Sequence, residues 1–130
     1  ATTGGIQALR YSIPNRNALV IDRLNTAGAL FLAKANMAQL AAGIIVESEQ
    51  VGLCQNPFGF NRTCGSSSTG SGASISAGFA IISLGTDTTG SIIIPSSYNS
   101  LYGLRPPHDS SLIKGILPLD ENLDTVGPLA

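Results

Sequence analysis

Apolar residues in this chain fall into short clusters separated by small and polar runs, and each cluster predicts one element. Val20, Ile21, Leu24 and Ala27 recur at helical spacing, with Asp22, Arg23, Asn25 and Thr26 on the opposite side, which predicts an amphipathic helix. Asn15-Arg16-Asn17 supplies polar capping groups ahead of it, and Gly28 is placed to end it in a left-handed conformation. Ala29-Leu30-Phe31-Leu32-Ala33 is a continuous apolar run of strand length, the pattern of a strand covered on both faces as in a parallel sheet. Residues 1–14 read as loop, with Pro14 fixing the backbone ahead of the first helix. Met37 to Ala42 predicts a short second helix ended by Gly43, and Gly52, Asn56-Pro57 and Gly59 mark turns in the less regular stretch 43–64.

The second half alternates more clearly. Ser71 to Phe79 predicts a helix of small residues, Ala80 to Leu84 a strand, Thr86 to Gly90 a loop, and a further helix begins near Ser91. Leu101 to Leu104 predicts a short strand ended by Arg105-Pro106-Pro107, and residues 123–130 read as the start of another element. Alternating strands and helices point to an α/β architecture.

Composition narrows the class. The 130 residues suffice for one domain, with 12% charged residues, 5% aromatics and a net charge of −1. So weakly charged a surface carries no footprint for nucleic acid or an acidic membrane, and no apolar run approaches the ~20 residues that span a bilayer. The start shows neither a basic segment nor an apolar h-region, so no signal peptide is expected here. Low charge, abundant small apolar residues and no closing helix or polar tail read as an internal segment of one larger domain over residues 1–130, with its N- and C-terminal parts elsewhere. His, Cys, Asp and Glu show no metal-ligand spacing, so neither metal nor cofactor is expected.

The chemistry concentrates between Cys64 and Ser97. Gly65-Ser66-Ser67-Ser68-Thr69-Gly70-Ser71-Gly72 and Gly85-Thr86-Asp87-Thr88-Thr89-Gly90-Ser91-Ile92 flank an apolar-to-small segment. Such runs bury little apolar area but offer close backbone approach and many short donors and acceptors. A flexible linker is disfavoured by the apolar character of Ala73 to Leu84 and by Ile92-Ile93-Ile94-Pro95 directly after the second run. A phosphate loop is disfavoured because Ser71 stands where that motif needs Lys.

These two runs resemble the amidase signature family, marked by Gly-Gly-Ser-Ser-Gly-Gly-Ser followed by Gly-Thr-Asp-x-Gly-Gly-Ser-Ile-Arg. The resemblance extends along the chain through Ala33-Lys34-Ala35-Asn36-Met37, Asn56-Pro57-Phe58, Gly103-Leu104-Arg105-Pro106 and Leu123-Asp124-Thr125-Val126-Gly127-Pro128. It implies part of an α/β/α sandwich with a mixed sheet, in an enzyme that hydrolyses or transfers carboxamides with a Ser–Ser–Lys triad. On that resemblance Ser91 is the nucleophile and Ser67 the bridging serine, preceded by a cis peptide. The physical rationale is that a hydroxyl attacks only once a base takes its proton, and a second serine can pass that proton to a neutral lysine. Backbone N–H groups of Thr88, Thr89, Gly90 and Ser91 are the candidate oxyanion donors.

Neither lysine, Lys34 or Lys114, matches the family's catalytic position, which falls just upstream of Ala1, so the chain alone is expected to be inactive. Lys34 instead reads as meeting a carbonyl or carboxylate at a strand end. Ser66, Thr69 and Thr89 stand where the family usually has Gly. Ile93 stands where it usually has Arg, which deprives Asp87 of its expected partner. A non-catalytic relative or structural fragment is the alternative. The substrate class is a small-molecule or peptide amide; the particular amide and the oligomeric state stay open. His108 permits a Ser91–His108–Asp87 arrangement on paper, although a lone His in a Pro-rich turn is ordinarily solvated. Cys54 and Cys64 form a disulfide in an oxidising compartment or stay buried thiols in a reducing one, and Asn61-Arg62-Thr63 between them is a glycosylation sequon. Together they are the sequence's hint of secretion.

Overall fold

Short elements joined by long, hydrogen-bonded loops carry the fold, which a computed structural model describes for residues 1–43 and 47–130. Among the described residues there are three α-helices, α1 (Leu19–Thr26), α2 (Thr69–Ser76) and α3 (Ile93–Tyr98). Four strands among the same residues pair in two antiparallel ladders, β1 (Glu47–Ser48) with β2 (Gly52–Leu53), and β3 (Ser83–Asp87) with β4 (Thr125–Leu129). Single 3₁₀ turns occupy Gln7–Leu9 and Gln39–Ala41. No helix among the described residues is long and apolar enough to cross a membrane.

Helix α1 forms where the apolar spacing places it, but its N-cap is Ala18, which makes no side-chain capping bond. The polar triplet acts otherwise, with Asn17 Nδ2 donating to Asp22 Oδ1 at 2.9 Å across the first turn. At the far end Gly28 adopts φ +87°, and the N–H groups of Gly28 and Ala29 close back on the carbonyls of Asn25 and Leu24. That αL residue lets the last carbonyls find donors without the strain a side chain would bring.

Two expectations for the first half are corrected. Ala29–Ala33 joins no ladder among the described residues, and Leu30 and Leu32 are 92% and 74% exposed. An apolar run becomes a strand only when a partner completes its backbone bonds, and none of the described residues forms a ladder with it. The predicted helix at Met37–Ala42 is instead a tight turn, with Leu40 and Ala41 at φ +51° and +57°. Leu40 N–H donates to the Gly4 carbonyl at 2.7 Å, a tertiary bond that outweighs helical propensity. Positions 44–46, within the stretch read as irregular, lie outside the described residues.

In the second half the order is as predicted and the boundaries move. Helix α2 starts two residues early, and β3 runs from Ser83 rather than Ala80, leaving Ile81 92% exposed. The small residues explain both shifts. Ser71 Oγ donates to the Leu84 carbonyl at 2.7 Å and Ser68 Oγ to the Thr86 carbonyl at 3.3 Å, stitching the start of α2 to β3. Gly70 donates its N–H to the Asn36 carbonyl at 2.8 Å, and a Cβ there would fall 2.6 Å from that same oxygen and 2.9 Å from Asn36 Cα. Pro95 is the third residue of α3, where its missing N–H costs no intrahelical bond. The segment 102–104 runs antiparallel beside β4, with Tyr102 and Ala130 exchanging backbone bonds of 2.8 and 2.9 Å and Leu104 N–H donating to the Pro128 carbonyl at 3.1 Å.

The interior between these elements is small and polar. Among the described residues its buried apolar side chains include Ala38, Cys64, Ile92, Pro95, Val126 and Leu129, beside buried Asn56, Asn99, Asp87 and Asp124. Asn56 Nδ2 donates to the Thr63 and Tyr98 carbonyls, and Asn99 Nδ2 to those of Cys64 and Pro95. Buried polar groups are tolerated where they are satisfied, and satisfied networks specify one arrangement of backbone.

Candidate functional site

The two serine runs meet at the ends of α2, β3 and α3. The first forms the approach to α2, and the Ser66–Ser67 peptide is cis. Ser67 is 1% exposed and its carbonyl accepts the Ala38 N–H at 3.0 Å. The second run leaves β3 after Asp87, bends through residues 88–92 and opens α3. Ser68 N–H donates to the Ser91 carbonyl at 3.3 Å, so the two loops lie against each other. Ser91 itself is half-buried, and its hydroxyl makes no hydrogen bond among the described residues.

Ser67 Oγ is buried without any hydrogen-bond partner among the described residues, as is Thr69 Oγ1. A buried hydroxyl that bonds to nothing costs about 1–3 kcal/mol, so such groups in a folded protein call for a partner or a task.

Asp87 organises the bend. Its carboxylate, fully buried, accepts the N–H groups of Gly90 at 2.7 Å, Ile92 at 2.8 Å and Ile93 at 3.4 Å. Arg105 completes the set, donating from one nitrogen to Asp87 Oδ1 at 2.5 Å and to the Asp87 carbonyl at 2.6 Å, and from the other to the Leu123 carbonyl at 2.9 Å. Burial pushes the Asp87 carboxyl up, but the Ile92 and Gly90 N–H groups, Arg105 and the Ile93 N–H outweigh it and hold the group below its ordinary 3.8. The expectation that Ile93 leaves Asp87 without a cation is therefore corrected, because Arg105 reaches it from the Gly-Leu-Arg-Pro segment.

One residue beyond the β3–β4 pairing of Asp87 with Thr125, Thr88 Oγ1 donates to the buried Asp124 carboxylate at 2.5 Å. Asp124 also accepts the N–H groups of Leu119 at 2.8 Å and Asp120 at 3.1 Å. Two buried carboxylates thus flank the loop, Asp124 holding its beginning and Asp87 its end. Gly90's amide is committed to Asp87, which narrows the unengaged amides of the bend to those of Thr88, Thr89 and Ser91. Thr89 is exposed, and Thr88, Gly90 and Ser91 are half-buried.

His108 stands apart from this arrangement. Its Nδ1 lies 2.7 Å from the Asp124 carbonyl, which only accepts, so the ring carries its proton there. It makes no bond to Asp87, and the Ser91–His108–Asp87 arrangement is not formed. Lys34 donates to the Thr2 hydroxyl rather than to a carbonyl or carboxylate, and Lys114 is exposed. Arg105 and Asp124 were missed as site residues although both lie in motifs the sequence displays. Their signal was that each is the one charged residue of its motif, Gly103-Leu104-Arg105-Pro106 and Leu123-Asp124-Thr125-Val126-Gly127-Pro128.

A double-serine loop thus lies beside a serine-bearing bend on an α/β framework. The Amidase family model matches residues 1–130, and the chain belongs to that family. The chain is 38% identical over 129 residues to a subunit of the glutamyl-tRNA(Gln) amidotransferase of Saccharolobus solfataricus, covering 99% of this chain and 27% of that protein. Among solved structures it is similar to an amidase family protein from Bacillus anthracis, at 36% identity and TM-score 0.92, covering 99% of this chain and 27% of that one. The native peptide amidase of Stenotrophomonas maltophilia gives 34% identity and TM-score 0.91, with coverages of 99% and 27%. The chain spans about a quarter of the length of the relatives it matches.

Proposed function

We propose that the protein to which this chain belongs cleaves carboxamides by acyl transfer to Ser91, with Ser67 as proton relay. The observation that carries the reading is the buried, unpartnered hydroxyl of Ser67 on a loop bonded to the Ser91 backbone. Ser91 Oγ attacks the amide carbonyl and its proton passes to Ser67 Oγ, which gives its own to a neutral lysine. The oxyanion is met by amides of the bend at Thr88, Thr89 and Ser91, held in place by the two carboxylates. Collapse expels the amine, which takes back the relayed proton, and water then hydrolyses the acyl-serine by the same route in reverse.

Lys34 donates to the Thr2 hydroxyl, Lys114 is exposed and neither bonds Ser67 Oγ, which fits a base contributed from N-terminal to residue 1 of the longer protein. On this reading residues 1–130 are an internal segment of one amidase domain and are inactive alone. The exposed Leu30, Ile81 and Tyr102, each at least 90% accessible, fit faces that the remaining chain covers. The substrate is a small-molecule or peptide amide.

The test is steady-state kinetics on the full-length protein with a panel of aryl, peptide and aliphatic amides. Ser91→Ala should abolish turnover, and Ser67→Ala should lower kcat by about 10²–10⁴ with a folded circular-dichroism spectrum retained. Undiminished turnover in folded Ser91→Ala overturns the assignment, and an intact protein inert toward every amide favours a non-catalytic relative.

A further inference from the structure

We propose that Cys54 and Cys64 are a covalent modification site, closing to a reversible intramolecular disulfide at the expense of a low-molecular-weight disulfide such as oxidised glutathione. The two thiols are free, with Cys64 Sγ 3.4 Å from Cys54 Sγ and 3.1 Å from the Cys54 carbonyl oxygen. They face each other because Gln55 and Thr63 form an antiparallel bridge, which makes residues 54 and 64 the next cross-strand pair. Opposed residues of such a ladder already hold their Cβ atoms close to the separation a disulfide needs.

The backbone around the pair is fixed in advance. Asn56 Nδ2 ties the Thr63 carbonyl to that of Tyr98, and Asn99 Nδ2 holds the Cys64 carbonyl at 2.8 Å. Phe58 N–H closes on Asn56 Oδ1 at 2.9 Å, and Gly59 N–H on the Asn56 carbonyl at 3.1 Å, shaping the loop between the cysteines. Closure therefore asks for a side-chain adjustment rather than a chain rearrangement.

The chemistry has an order. Cys54 is half-buried and lines a surface groove with Leu53, Phe60 and Arg62, whereas Cys64 is fully buried. The Cys54 thiolate attacks the external disulfide, forming a mixed disulfide and releasing one small thiolate. The Cys64 thiolate then attacks Cys54 Sγ and expels the second. Two protein thiols lose their protons and two electrons, and the external disulfide is reduced to two thiols. Burial, and then the bond and charge of Cys54, push the Cys64 thiol up to about 12 in the free dithiol, which protects Cys64 from direct reaction with the external disulfide and leaves Cys54 to react first. Because Gly65-Ser66-Ser67 follows Cys64 directly, the crosslink anchors the approach to the double serine.

The site stands independently of the proposed amide chemistry. The experiment incubates the full-length protein with oxidised glutathione near pH 8, then reads intact mass, peptide maps and thermal melting. The expected result is a Cys54–Cys64 cross-linked peptide, a mass lower by about 2 Da, reversal by dithiothreitol, and a melting temperature higher by about 4 °C. Cys64→Ser should stop at a glutathione adduct on Cys54, about 305 Da heavier, and Cys54→Ser should leave Cys64 unmodified. Two free thiols in the treated wild type, or a persistent Cys54 adduct that never closes, overturns the proposal.

Discussion

Thr88 and Asp124 continue the β3–β4 register by one pair, and the continuation is a side-chain bond of 2.5 Å rather than a backbone one. The ladder thereby extends into the bend that carries Ser91. Thr88→Val keeps the shape but strands the Asp124 carboxylate with two amide donors. We expect a stability loss of about 1–2 kcal/mol in the full-length protein and a roughly tenfold fall in kcat with KM little changed. Thr88→Ser should restore most of both, and chemical denaturation with amide kinetics checks it.

Arg105 is the cation of the buried Asp87 carboxylate, and three amides share the load. Arg105→Met leaves the charge buried without its counter-ion and should cost about 2–4 kcal/mol. Arg105→Lys should recover only part, because a single ammonium cannot reach the Asp87 and Leu123 carbonyls together as the fork does. Urea unfolding of the three proteins decides the order.

The same carboxylate sets an acid limit. Its pKa is lower in the folded protein than its ordinary 3.8, so its stabilisation is fully present above that value and is lost as pH falls through the folded value. Wild type should lose stability on acidification below about pH 4, whereas Asp87→Asn should be less stable at neutral pH and show a flatter acid limb. Equilibrium unfolding between about pH 2 and 7 makes the comparison.

Gly70 tests the packing of α2. An Ala Cβ would meet the Asn36 backbone, which cannot move aside as a side-chain tip can. Gly70→Ala should destabilise by about 2–4 kcal/mol despite the better helix propensity of alanine. A neutral or stabilising result in denaturant titration would contradict this contact.

How far the fold was legible follows from which interactions are local. Helix α1 was readable because its stripe and the Gly28 terminator lie within one stretch. Helix α2 and the bend were readable because runs of Gly, Ser and Thr have few other uses. Ala29–Ala33 was not, since strand formation depends on a partner no local pattern reveals. Strand β3 lies nearer the small residues, where Gly85 packs against Ser68 and Leu129, and Ile81 and Ile82 are left exposed before it. Asp87's dependence on Arg105 was invisible for a similar reason. The motif's usual cation position holds Ile93, and the fold delivers a guanidinium from another loop.

The most direct check of the central claim is active-site labelling of the full-length protein with a fluorophosphonate, followed by peptide mapping. The account predicts phosphonylation at Ser91, abolished in Ser91→Ala and markedly slowed in Ser67→Ala. A full-length protein that turns over amides yet carries the label on another residue, or none at all, would contradict it.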